Sequence, residues 1–177
     1  MKNRKNMAID RKQNRERAIA LRFLELCTKS EILNLKYLRL GDPNKNEPDI
    51  ICSDNYSIEI VSIYDNDLQA KNYWEDMKGI NNPNQQREIL LQPDKNLVLE
   101  IGRKLEKLEK GFYSGTDQSR ILLLCYFESP LFNYQTAAEI KTEYQPFRFD
   151  NHFEKYFFEI WLMWSEGRDS YGILQLE

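Results

Sequence analysis

The chain has 177 residues, 41% of them hydrophobic and 12% aromatic, enough for one good core and short for two, so one domain is expected. Charged residues make up 30% against seven glycines and six prolines, which excludes disordered, collagen-like and fibrous classes. A formal net charge of −3 argues against a protein that coats nucleic acid non-specifically.

Charge is unevenly spread. Residues 1–22 contain Lys2, Arg4, Lys5, Arg11, Lys12, Arg15, Arg17 and Arg22 against only Asp10 and Glu16, so residues 1–13 read as a basic N-terminal arm. From Asn14 to about Lys29, strong helix formers with Ile19, Phe23 and Leu26 at helical spacing predict the first helix. The alternating run Lys36–Leu40 predicts a short strand, and the turn residues GDPNKNEP after it a loop. Two β-rich runs, Asp49–Cys52 and Tyr56–Ile63, flank Ser53-Asp54-Asn55 and predict a β-hairpin.

Residues 66–94 show no sustained period and read as a long loop, or a short helix and a loop. Next, Ile101, Leu105, Leu108 and Phe112 share one stripe of a second helix that ends at glycines. The nearly all-apolar run Arg120–Phe127 predicts a strand covered on both faces, inside a mixed sheet. A helix around Gln135–Tyr144 follows, then two further strands, one in KYFFEIWLMW and one in YGILQL, although a buried helix would also suit the first. The aromatic run Tyr156–Trp164 reads as core or as a subunit interface, which leaves a homodimer open, ahead of a base-stacking platform.

Cys27, Cys52 and Cys125 are odd in number and lie among apolar residues, the pattern of core thiols in a reducing, cytoplasmic compartment. No apolar run reaches membrane-spanning length and no signal-like apolar core follows the basic N-terminus. The single histidine, His152, gives little to a His-rich zinc site or a Ser-His-Asp triad, and no glycine-rich phosphate loop, GxSxG elbow or CxxC pair is present.

One constellation carries chemistry. Residues 49 and 59 are equidistant from Asp54, so a three-residue turn puts Asp49 directly opposite Glu59 on one face of the sheet. A two-residue turn would make the pair diagonal instead. Like charges so placed repel and call for a cation or for solvent, and two hard oxygen ligands on a rigid hairpin suit Mg²⁺ or Mn²⁺.

The segment EPDIICSDNYSIEIV resembles the PD-(D/E)xK motif of restriction-endonuclease-like nucleases, with Pro48-Asp49 as its first half and Glu59-Ile60-Val61 as its second. The order helix, three strands, helix, strand over residues 14–127 is similar to that superfamily's core, with residues 128–177 as a C-terminal α-β-β extension. The resemblance implies an α/β fold with a three-layer core, a mixed central sheet flanked by helices, and Mg²⁺-dependent hydrolysis of DNA with Asp49 and Glu59 holding the metal. Val61 stands where active members carry the lysine that orients the attacking water. Some members supply that lysine from the following helix, where Lys104, Lys107 and Lys110 are available. On a helical wheel Lys104 lies nearest the apolar stripe, Lys107 further round and Lys110 opposite. Many members also carry an acid in the first helix, and Glu16 lies at the edge of the inward stripe. The alternative is a catalytically silent nuclease-like fold that binds a protein or nucleic acid.

Overall fold

A computed structural model of the chain describes residues 2–64, 93–150, 157–167 and 170–176, with side chains from residue 10 in the first helix, from 95 in the second and up to 142 in the third. The expected loop before residue 93 lies outside these residues, as does His152.

Helix α1 runs Lys2–Lys29 and is longer than the sequence periodicity implies. The expected basic arm is its first half, because residues 2–29 contain neither glycine nor proline and nothing interrupts the backbone ladder. The helix stops where Glu31 turns left-handed (φ 57°), with Glu31 N donating to Thr28 O and Ile32 N to Cys27 O. These two bonds satisfy its last carbonyls.

Strands β1 (Tyr37–Leu40), β2 (Ile50–Cys52) and β3 (Ser57–Ile63) form an antiparallel meander. The hairpin loop is Ser53-Asp54-Asn55, in which Asp54 and Asn55 take φ 57° and 61°, a conformation that short polar side chains tolerate. Cys52 N closes it on Tyr56 O at 2.8 Å. Helix α2 (Pro93–Glu109) leads to β4 (Ile121–Phe127), parallel to β3, and helix α3 (Tyr134–Asp150) leads to β5 (Glu159–Ser165), parallel to β4. Strand β6 (Tyr171–Gln175) returns antiparallel to β5. The result is an α/β fold with an open, mixed, six-stranded sheet in the order β1-β2-β3-β4-β5-β6.

The core lies on both sheet faces. Ile19, Ala20, Phe23, Leu24 and Cys27 of α1 cover one face against Ile50, Ile58, Ile60, Leu122 and Leu124. On the opposite face Leu97, Ile101, Leu105 and Leu108 of α2, with Ala137 and Ile140 of α3, pack on Val61, Ile63, Leu123 and Cys125. Alternation along each strand divides the residues between these layers. Leu122 to Leu124 are fully buried, as expected of an interior strand covered twice.

The aromatic run at β5 is strand and core. Trp161 faces α1 and Trp164 faces α2 and α3, and both are buried. The stripe on α2, however, does not continue to Phe112, which is 42% exposed; Tyr113 is buried in its place. The helix ends at Glu109, and Gly111 turns left-handed (φ 73°), so helical extrapolation past that point selects the wrong aromatic ring. The three cysteines are free and buried. No described helix is long and apolar enough to cross a membrane.

Candidate functional site

The site forms where β2 ends beside β3. The register Ile50↔Ile58 and Ile51↔Ser57, continued by one pair, sets Asp49 opposite Glu59. The approach of β1 fixes this end of the strand: Gly41 N donates to Asp49 O at 2.9 Å, and a Cβ on Gly41 would lie 1.8 Å from the Pro48 carbonyl oxygen. Only glycine allows so close a backbone contact.

Beyond Ile50 the ladder gives way to side-chain bonds. Ile60 N donates to Asp49 Oδ2 at 2.8 Å, and Asp49 N donates to Glu59 Oε2 at 3.3 Å. The two carboxylates thereby satisfy backbone donors that the end of β2 leaves unpaired. Glu59 sits between Ser57 and Val61 on the sheet face that α2 covers and is buried, at 4% exposure.

Helix α2 brings a cation to this carboxylate. Its apolar stripe seats Ile101 and Leu105 on the sheet, so Lys104 leaves the stripe's edge toward Glu59. Lys104 Nζ donates to Glu59 Oε1 and, at 3.2 Å, to the Ile60 carbonyl. The turn after the helix adds a second donor, the Tyr113 hydroxyl, also to Glu59. On the α1 side, Glu16 is buried and pairs with Lys12 Nζ at 2.9 Å.

The electrostatics follow from three acids and two ammoniums in one region. Burial, then the charges of Glu59 and Glu16, push the Asp49 carboxyl up to about 7, with Lys104 and Lys12 opposing. Burial alone would lower the pKa of Lys104, but the charges of Glu59 and Asp49 and the bond to Glu59 outweigh it and hold the ammonium above its ordinary value. Lys12 behaves alike: burial lowers its pKa, and Asp49 and Glu16 raise it further. Burial and the adjacent Glu59 also push the Tyr113 phenol upward, keeping it a neutral donor.

Of the residues expected from sequence, Asp49, Glu59 and Lys104 are brought together. Glu16 reaches the same electrostatic neighbourhood but holds Lys12. Lys107 does not join them: it is exposed, with its ammonium 5.9 Å from the centre of the Phe112 ring, one position too far round the helix. Tyr113 and Lys12 carry no signal in the sequence. The first is hidden by the break in the helix, the second by depending on where α1 crosses the sheet.

Among the described residues no group of three or more His, Cys, Asp or Glu side chains is arranged to hold a metal ion. Asp49 and Glu59 offer a pair of carboxylates, and their surroundings carry an excess of negative charge that raises Asp49. That donor set fits Mg²⁺ or Mn²⁺, because Mg²⁺ takes one or two carboxylates and completes its shell with water and phosphate oxygens. Comparison of the chain with protein-family models, curated proteins and solved structures finds no match, so the functional reading rests on this geometry.

Proposed function

We propose that the chain is a divalent-cation-dependent nuclease of the PD-(D/E)xK kind, hydrolysing phosphodiester bonds in DNA. The observation that carries this reading is the position of Lys104. Its ammonium bonds both Glu59 and the Ile60 carbonyl, which supplies from α2 the cationic group that Val61 lacks. The antiparallel β1-β2-β3 meander, the α2 crossover and the parallel β4 also follow the order that a restriction-endonuclease-like core requires.

In this reading Asp49 and Glu59 hold Mg²⁺ or Mn²⁺. When bound, the cation acts as a Lewis acid toward the phosphate and lowers the pKa of a coordinated water. The chain's own residues do the positioning. Asp49 is fixed through Ile60 N, and Glu59 through Asp49 N and Lys104, so neither carboxylate has to reorganise as charge develops. Lys104 stays protonated at neutral pH, orients the attacking water and stabilises negative charge on the phosphate oxygens.

A second reading, a silent module that binds a protein or nucleic acid, is favoured by one observation: Val61 is buried against α2, so β3 itself offers no lysine. Purified protein with Mn²⁺ and labelled single- and double-stranded DNA separates the two. The nuclease reading expects cleavage that Asp49→Ala, Glu59→Ala and Lys104→Met each abolish. Intact DNA with all four proteins decides for the module.

A further inference from the structure

We propose that Tyr113 is a positioning residue that holds the Glu59 carboxylate in the orientation the site requires. Tyr113 follows α2 by four residues and is buried at 3% exposure, while its neighbour Phe112 faces outward. Its backbone is left-handed, at φ 69°. For a bulky side chain that conformation is a genuine outlier, maintained only where the surrounding structure over-determines it.

The surroundings do so here. Gly111 N donates to Leu108 O and Phe112 N to Lys107 O, both at 2.9 Å, which closes the end of α2. Thr116 N then donates to Tyr113 O at 2.9 Å and locks the next turn. An unstrained chain would continue with Tyr113 on the surface. This turn instead drives the ring into the core layer of α2 and α3, with its hydroxyl on Glu59. Packing alone would not need the hydroxyl, since the buried aromatics of that layer include Phe127, Phe132 and Phe157.

Glu59 therefore receives three donors from three directions: Asp49 N from β2, Lys104 Nζ from α2 and the Tyr113 hydroxyl from the turn after it. A phenol on a carboxylate is a charge-assisted bond, stronger than a neutral one and more directional. Lys104 has a flexible stem and by itself leaves the carboxylate free to rotate. Tyr113, fixed by its ring, removes that freedom. A carboxylate held this way keeps the same oxygens pointed at a cation or substrate.

The test is Tyr113→Phe, which keeps the ring and its packing and removes one oxygen. The inference rests on the nuclease reading for its kinetic arm only. With cleavage established in the wild type, Tyr113→Phe is expected to lower kcat about 10- to 100-fold, as loss of a supporting partner does, with KM for DNA unchanged. Unchanged kcat overturns the proposal. The second arm needs no activity: melting temperatures of Tyr113→Phe, Glu59→Gln and the double variant. If the hydroxyl acts on Glu59, the double variant melts with Glu59→Gln alone; losses that add overturn the proposal. A wild type that cleaves no DNA and binds no Mn²⁺ defeats the nuclease reading, and the melting cycle still decides the role of Tyr113.

Discussion

Replacing Asp49 by Asn tests whether the site carries uncompensated charge. The Asp49 carboxyl titrates at about 7 in the folded protein against 3.8 ordinarily, owing to burial and to the charges of Glu59 and Glu16. Between those values the native state holds a proton that the unfolded chain has released. Stability contributed by this group is therefore present at low pH and falls as pH rises from about 4 through 7. At about 1.4 kcal/mol per unit the full penalty above pH 7 is about 4 kcal/mol. Asp49 is only partly buried, and solvent screening reduces that to about 2 kcal/mol. Asn keeps an oxygen to accept from Ile60 N and has no charge to lose. In EDTA at pH 8, Asp49→Asn should melt about 4–8 °C above the wild type, the gap closing toward pH 4.5. Scanning fluorimetry across that range checks it. Parallel curves for the two proteins, or a lower Tm for the variant at pH 8, would refute the reasoning.

Lys104→Met should destabilise by about 3–5 kcal/mol in urea titrations at pH 7, because it leaves the buried Glu59 without its cation; the side chains are 13% and 5% exposed. Adding Mn²⁺ to that variant should restore part of the loss, and no Mn²⁺ response would argue against a cation position between Asp49 and Glu59. Gly41→Ala should cost about 1–3 kcal/mol, read by the same titration, since the new methyl meets the backbone oxygen of Pro48 and not a side chain that can swing away. If cleavage is found, Val61→Lys on the Lys104→Met background should recover part of it, because position 61 projects from the same sheet face as Glu59, about 7 Å along β3. Equal inactivity of both proteins would count against that equivalence.

The hairpin and its carboxylate pair were legible because local rules decide them. Two β-rich runs about a turn of Ser, Asp and Asn fix the register, and the register fixes which side chains face each other. Lys104 was legible for a similar reason: an apolar stripe determines which lysine stands at its edge. What could not be read depends on breaks in periodicity and on distant elements. Nothing in residues 66–94 shows how that segment closes on the site. The turn that exchanges Phe112 for Tyr113 begins one residue after the pattern used to predict it has ended. The pairing of Lys12 with Glu16 beside Asp49 needs the angle at which α1 crosses the sheet, which no pattern within α1 contains.

A lysine on α2 in place of one on β3 also changes the packing of the site. Val61 lies in the apolar layer between β3 and α2, next to β4 at Cys125, and is 6% exposed. A lysine there would have to carry its stem through that layer and would displace the contacts that hold α2 on the sheet. From α2 the ammonium enters along the edge of the helix, with its stem lying against apolar residues and its head on Glu59 and the Ile60 carbonyl. The helix then reads as part of the site as well as a cover for the sheet, because moving it would withdraw Lys104 and the turn carrying Tyr113 from Glu59 together. Pairing Glu59 leaves Asp49 as the carboxylate with the less complete compensation, and its raised pKa follows from that division. A divalent cation would relieve the repulsion at Asp49, so the same arrangement that costs stability in the unliganded protein supplies the driving force for binding.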